Sequence, residues 1–163
     1  MKRTWQLTGV AMLFGMLTAC GLGDRGTPPH TEPALAALMG ELQRHTMKLG
    51  YAIEGENPEL AEFYLHEIEE VLESLEGIEE YDGMLVADNA RTIMRPLLPP
   101  LRAGIAGNDT SAISRSYQSM LDGCNRCHTA TDHEFIVITR PAGPPPFNQD
   151  FAGSRNDGGS PSN

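Results

Sequence analysis

The chain has 163 residues, and its 12 Lys and Arg stand against 22 Asp and Glu, which gives a formal net charge of −10 at pH 7. This balance argues against a nucleic-acid-binding protein, because phosphates require a basic surface. Three cysteines cannot make a disulfide framework, so one domain of this length must be held together by its apolar core or by a cofactor.

The first 19 residues are typical of a bacterial export signal. Two basic residues precede an apolar run, Leu7 to Ala19, which is shorter than the roughly 18 residues that a membrane span needs. The run ends in the letters LTAC, which resemble a lipobox, so we predict that Cys20 carries lipid. The alternative is an ordinary signal peptide with a chance cysteine. Residues 20–32 then form a lipidated tether on the periplasmic side of a bacterial membrane, which is contacted only through the lipid anchor.

Removal of the signal leaves ten Lys and Arg against 22 Asp and Glu, a net charge of −12. Such an acidic body argues against a polybasic grip on anionic lipid and permits a basic partner protein. The acidic runs between Glu67 and Glu80 fall on the polar face of a predicted helix. We therefore interpret them as a solvated helix surface rather than as catalytic carboxylates.

Residues 33–140 are predicted to form one domain of four amphipathic helices. Pro33 suits the first turn of the first helix, and the second helix has Asn57 as its N-cap and ends at Gly77. The apolar stripes at helical spacing are Leu35, Leu38, Leu42, Leu49 and Ile53 in the first helix and Leu60, Tyr64, Ile68, Val71 and Leu75 in the second.

The second half of this domain contains helix-breaking prolines. A third helix is predicted over residues 84–94, and the three prolines after it must break or kink it before a short helix at residues 101–106. The fourth helix begins at Asn108 or Asp109 as its cap, and its spacing places Cys124 on the buried stripe.

Two segments follow the fourth helix. Residues 135–138 are an apolar run of strand type, which we expect to lie extended over the helices because one strand cannot form a sheet. Residues 141–163 contain five Pro and four Gly and are predicted to be a disordered tail. The predicted fold class is all-α, an antiparallel four-helix bundle with short connections. Its few aromatic residues make a thin core that a large flat group could fill.

The pentad Cys124-Asn125-Arg126-Cys127-His128 has the spacing of a c-type haem attachment site. Two thiols this far apart reach the two vinyl groups of one haem, and the next residue can donate an imidazole nitrogen to the iron. The sequence therefore predicts one covalent haem c, with thioethers to Cys124 and Cys127 and with His128 as the proximal iron ligand.

Two other uses of the cysteine pair remain as alternatives. A thioredoxin-type redox pair would follow a strand at a helix N-terminus, whereas this pair lies at the end of a predicted helix. A structural zinc site would need a fourth ligand, for which His133 is the nearest candidate, although the resulting site would be cramped.

A helical bundle with a single C-x-x-C-H near its C-terminus resembles the class II c-type cytochromes, the cytochrome c prime group and its low-spin relatives. The resemblance covers about residues 33–131, and the chain departs from it by continuing for 35 residues past His128. Covalent haem, a small domain and a sequence without a catalytic constellation favour an electron carrier rather than an enzyme, with a redox partner protein. The alternatives are a gas-binding or sensing protein with an open distal site and, less favoured, a weak haem peroxidase, which would need a distal acid–base residue such as His45.

The sixth iron ligand is predicted to be Met39. In an up-down bundle the end of the fourth helix lies level with the start of the first, and Met39 flanks the apolar stripe there. Met47, two turns further along, is the second candidate and His45 the third. Of the remaining histidines, His30 lies in the tether and His66 on a predicted helix surface.

Overall fold

The first helix, α1, spans Leu35–Glu54 and presents its predicted apolar stripe to the interior. The computed structural model describes residues 35–153, so the predicted signal peptide, the tether with Cys20 and His30, and the last ten residues of the predicted tail lie outside the described residues. Leu42 and Leu49 on this stripe are buried, as their spacing of seven residues predicts.

Helix α2 spans Pro58–Glu76 and begins as the sequence predicts. The side chain of Asn57 caps it, because its Oδ1 accepts a hydrogen bond of 3.1 Å from the backbone N–H of Leu60. Gly77 follows the last residue of the helix, and its N–H bonds back to the carbonyl groups of the final turn. Both ends of α2 are therefore determined locally.

The proline-rich segment is a continuous but irregular helical stretch. Helix α3 spans Val86–Asn89, a π-helical turn follows at Ala90–Met94, a 3₁₀ turn occupies Arg95–Leu97, and helix α4 spans Leu98–Ala106. The N–H of Arg95 bonds to the carbonyl of Ala90, which is the wider spacing of a π turn. The expected proline break is therefore a change of helix type, because Pro96 has no N–H to continue the α-helical ladder.

Helix α5 spans Thr110–Ala130 and is capped by Asp109, whose Oδ1 accepts a 2.9 Å hydrogen bond from the N–H of Ala112. Its inner face buries Tyr117 and Cys124, which confirms the predicted stripe. The hydroxyl of Tyr117 donates a buried 2.9 Å hydrogen bond to the carbonyl oxygen of Thr46 and so ties α5 to the middle of α1.

These helices pack in pairs. Helix α1 lies against α2, α4 lies against α5, and further contacts join α2 to α4 and α1 to α5. Residues 35–153 contain no β-strand beyond an isolated bridge between Tyr81 and Met84, which confirms the predicted all-α class. No helix among these residues combines the length and the apolar character needed to cross a bilayer.

The prediction of a disordered tail is wrong for residues 141–153, which pack against α1 and α2. Phe151 is buried, with ring centroids 5.5 Å from Tyr51 and 6.4 Å from Tyr64. The domain therefore continues past residue 140. Proline and glycine content predicted disorder, but prolines also restrict the unfolded chain, and one aromatic anchor is enough to hold a stiff segment down.

Polar contacts also fix the C-terminal part of this segment. The Gln149 Oε1 atom accepts hydrogen bonds from the Tyr64 hydroxyl at 2.7 Å and from the Lys48 Nζ at 3.2 Å. The N–H of Gly153 donates a 3.0 Å bond to the carbonyl of Gly55. At Gly55 a Cβ atom would collide with the backbone of Phe151, so this close approach requires glycine.

Replacing Phe151 by alanine should destabilise the protein by about 3 kcal/mol, because it removes a buried ring and leaves a cavity. The measurement is urea unfolding followed by circular dichroism. Phe135→Ala is the matched control, since the Phe135 ring is 76% exposed and its removal should change the free energy of unfolding by less than about 0.5 kcal/mol. Equal effects of the two variants would show that residues 141–153 do not pack as described.

Candidate cofactor-binding site

A cavity of about 890 Å³ lies between the start of α1 and the end of α5. Cofactor sites occupy about 300–1,000 Å³, so this cavity is large enough for a prosthetic group. Its wall is mostly apolar and includes Leu35, Met39, Leu42, Leu72, Leu75, Met84, Leu85, Val86, Met94, Ile136 and Ile138. The thin core predicted from the small number of aromatic residues thus takes the form of a cavity.

All three chemically distinctive residues of the pentad line this cavity. Cys124, Cys127 and His128 occupy the last two turns of α5, and Cys124 is buried while the other two are partly buried. Their spacing of three and four residues places Cys124, Cys127 and His128 on one side of the helix. The structure therefore brings the two thiols and the imidazole to one surface.

The environment of the thiols does not suit a redox pair. Burial raises the pKa of Cys124 to about 12, and burial also raises the pKa of Cys127. A reactive redox cysteine needs the opposite shift, which a helix N-terminus or a nearby cation would provide. Both groups therefore stay thiols at neutral pH.

The geometry also argues against the alternative of a structural zinc site. His133, its proposed fourth ligand, has its ring Nδ1 within hydrogen-bond distance of the carbonyl of Thr131. Within residues 35–153 no three His, Cys, Asp or Glu side chains converge as a metal site. A structural zinc site needs four such ligands, and Cys124 and Cys127 supply only two.

His128 is held in one tautomer by the segment that follows the pentad. Its Nδ1 lies 2.7 Å from the carbonyl oxygen of Ile136. A carbonyl only accepts, so Nδ1 carries the proton and Nε2 keeps its lone pair. Metal-binding histidines are usually oriented by such a bond from the other ring nitrogen.

Asn125, one of the two residues between the cysteines, anchors this segment. Its Nδ2 donates to the carbonyl of Ile138 at 2.9 Å, and its Oδ1 accepts from the N–H of Ile138 at 2.7 Å. The side-chain amide of Asn125 thus makes the pair of backbone hydrogen bonds that a neighbouring strand would otherwise make with residues 135–138. Ile136 and Ile138 line the cavity, whereas Phe135 and Val137 do not line it and are 76% and 65% exposed.

The sharp exit from α5 depends on Asp132, a feature that sequence reasoning missed. Asp132 has a φ of 58°, and the N–H of His133 bonds to the carbonyl of His128 at 2.7 Å. This is the Schellman arrangement, in which the residue after the cap adopts a left-handed conformation. Aspartate tolerates that conformation better than most residues, which was the signal available in the sequence.

The three candidate sixth ligands differ in whether they line the cavity. Met39 lines the cavity, and its neighbour Gly40 faces open space. Met47 and His45 do not line it. His45 is buried in a separate cleft, with Nε2 3.9 Å from the Glu67 carboxylate and Nδ1 without a hydrogen-bond partner, and burial lowers its pKa.

Two further methionines line the cavity, and sequence reasoning did not consider them as ligands. Met94 is buried in the π turn, with its sulfur 3.1 Å from where a Cβ on Gly123 would stand. Met84 belongs to the loop before α3. Only the irregular path of residues 81–97 brings Met84 and Met94 to the cavity, and helical periodicity does not reveal that path.

The charges in the cavity wall are of one sign. Asp82, Asp88 and Asp132 line the cavity, and among the described residues that do so none is Lys or Arg. His66, by contrast, is a surface residue as predicted, with Nε2 3.3 Å from the carboxylate of Glu70.

The sequence matches no protein-family model, no curated protein and no solved structure. The family resemblance stays a prediction, and the interpretation of the site depends on the geometry of its own residues.

Replacing Asn125 by alanine should release residues 136–138. Two hydrogen bonds of about 0.5–1.5 kcal/mol each are lost, so exchange of the Ile138 amide hydrogen should accelerate about tenfold. Hydrogen exchange read by mass spectrometry measures this rate. Thr129→Ala is the control, because the Thr129 hydroxyl bonds only to its own helix and its loss should leave the Ile138 rate unchanged.

Proposed function

We propose that this protein is an exported, lipid-anchored monohaem c-type cytochrome that acts in electron transfer. The observation that carries the proposal is the common cavity wall formed by Cys124, Cys127 and His128, with His128 Nε2 left free by the bond from Nδ1 to Ile136. A chance C-x-x-C-H would not need a cavity of cofactor size beside it.

The residues present suit haem c. Cys124 and Cys127 would form the two thioethers, and His128 would donate Nε2 to the iron. The bound iron would supply a one-electron redox couple. Ile136 and Ile138 would exclude water from one side of the cavity. The pairing of α1 with α2 and of α4 with α5 supports an antiparallel four-helix bundle of the class II type as the finer description of the fold.

Methionine in the cavity wall favours an electron carrier. Histidine and methionine together are the iron ligands typical of electron-transfer cytochromes c. Met39 remains our proposed sixth ligand, because it lies on a regular helix beside open space, whereas Met94 already packs against α5 at Gly123. His45, which a peroxidase would need as its acid–base residue, belongs to a different cleft.

The absorption spectrum of the exported protein, oxidised and reduced, tests the proposal together with haem staining of a denaturing gel. The wild-type band should stain, Cys124→Ala and Cys127→Ala should each lose one thioether, and His128→Ala should lose proximal ligation. Cys20→Ser, the control outside the pentad, should keep full staining. An unstained wild-type band from cells with a working cytochrome maturation system would disprove the proposal.

Met39→Ala should lower the reduction potential and open the iron to carbon monoxide, because a thioether ligand raises the potential and occupies the sixth position. Potentiometric titration and a carbon monoxide difference spectrum measure both effects. Met47→Ala is the control, since Met47 does not line the cavity. The same effects in Met84→Ala or Met94→Ala instead would identify the true ligand. A five-coordinate wild-type spectrum that shifts with carbon monoxide or nitric oxide would favour gas binding.

The location of the protein follows from its first 20 residues. We propose that Cys20 is acylated and tethers residues 20–32 to the periplasmic side of a bacterial membrane, with two or more chains for stable anchoring. Growth with a radioactive fatty acid should label the wild-type protein and leave Cys20→Ser unlabelled. Equal labelling of the two proteins would contradict the lipid anchor.

A further inference from the structure

The mouth of the cavity is bordered by exposed apolar side chains from two segments. Phe135 and Val137, in the segment after α5, are 76% and 65% exposed, and they flank Ile136, which is 41% exposed and lines the cavity. Leu85 and Tyr81, in the loop before α3, are 56% and 41% exposed and also line the cavity. Soluble proteins seldom gather exposed apolar residues in one place unless another surface covers them. We call Phe135, Val137, Leu85 and Tyr81 the apolar rim.

Acidic residues accompany the apolar rim. Asp82, Asp88 and Asp132 are exposed and line the cavity, while Glu80 and Glu134 are exposed next to rim residues in the chain. Arg126 of the pentad is exposed but does not line the cavity.

Arg91, the basic residue closest in sequence to this loop, lies with Nη2 3.5 Å from the Glu79 carboxylate and 2.7 Å from the carbonyl oxygen of Glu76. The border of the cavity therefore has negative charge and no free positive charge among the described residues that line it.

We propose that this border is the docking surface for a redox partner whose own contact face is basic, with the apolar rim at the centre and the aspartates around it. The inference rests on the proposed function and locates the partner at the same site. Haem has two carboxylates of its own, and a cavity wall without Lys or Arg would leave their charge to add to that of Asp82, Asp88 and Asp132. A basic partner would be attracted to all of these charges.

A second copy of this chain is the poorer occupant. The mature chain has a net charge of −12, so a symmetric contact would bring the same carboxylates face to face. A basic partner meets no such repulsion, and an apolar centre inside a charged border is the usual composition of a transient protein interface.

The segment at residues 135–138 gives the surface a short path to the cavity. Ile136 and Ile138 line the cavity, and Phe135 and Val137 alternate with them on the outside. A partner seated on Phe135 and Val137 would be separated from the cavity by the thickness of one extended chain. The hydrogen bond from Nδ1 of His128 to the carbonyl of Ile136 connects the same segment to the proximal imidazole.

The test uses the full-length exported protein and mitochondrial cytochrome c as a lysine-rich probe, with lysine-acetylated cytochrome c as its charge control. Binding is measured by calorimetry at low and at physiological ionic strength. Wild type should bind the native probe at low ionic strength and not the acetylated probe, and the affinity should fall as salt rises.

The charge variant is Asp82→Asn with Asp88→Asn and Asp132→Asn. Asparagine keeps the shape and tolerates the positive φ of Asp82 and Asp132. Its matched control is Glu54→Gln with Glu56→Gln and Glu59→Gln, three exposed carboxylates at the turn between α1 and α2 that do not line the cavity. The Asp variant should weaken binding about tenfold and flatten the salt dependence, and the control should stay within about twofold.

The apolar variant is Phe135→Ser with Val137→Ser, and Phe63→Ser, which removes a 51% exposed ring of α2 outside the cavity wall, is its control. The first should weaken binding at both ionic strengths, because apolar contact is not screened by salt. The second should bind as wild type.

Several results would overturn the proposal. One is an Asp variant that binds the native probe as tightly as wild type does. Another is a Glu control that loses as much affinity as the Asp variant, because net charge alone would then explain binding. Self-association of the wild type that the Phe135 and Val137 changes abolish would assign the surface to a second copy.

The haem spectrum of each sample separates this proposal from the proposed function. A protein that binds the probe through the aspartates but has no haem would contradict the proposed function and leave the basic-partner surface standing. A protein that contains haem but binds the native and the acetylated probe equally well would support the proposed function and contradict the basic-partner surface.

Discussion

Three side-chain hydrogen bonds join the end of α5 to residues 136–138, and the geometry of the site depends on them. The amide of Asn125 makes two of these bonds with the backbone of Ile138, and the carbonyl of Ile136 accepts the third from Nδ1 of His128. Together they select the tautomer of the imidazole and place one face of an extended chain against the cavity. The left-handed turn at Asp132 makes this possible, because it reverses the chain within the reach of one side chain.

The core has few large side chains, and both the cavity and the packing of the C-terminal segment are consequences of this. Helices α1 and α2 have few aromatic residues to bury, and their interior-facing leucines leave an open volume near α5. On the other side of the pair, residues 141–153 bring Phe151 against Tyr51 and Tyr64 and supply the missing apolar contact. A covalent group in the cavity would complete the core in the same physical way, by removing apolar surface from water.

The π-helical turn shapes the part of the cavity wall that the irregular helical stretch forms. It changes the angular position of its own last residue and of those that follow, so that Met94 reaches the backbone of α5 at Gly123, where a Cβ would meet both the Met94 sulfur and Leu97. Glycine immediately before Cys124 therefore allows close contact between α5 and the irregular segment. Such π turns often occur beside functional sites, and this one borders the candidate cofactor cavity.

The sequence by itself determined the features that depend on neighbours in the chain. It predicted the cap at Asn57, a cap at either Asn108 or Asp109, the buried stripes of α1, α2 and α5, and the pentad, because hydrogen bonds and periodicity within a few residues decide all of them. Tertiary structure decided the rest. The packing of the helices decides which of Met39, Met47 and His45 would line a cavity. Their angular positions around the helix, relative to the apolar stripe, do not decide it. Phe151 packs because Tyr51 and Tyr64 offer a surface some 90 residues earlier in the chain, which no local composition can reveal.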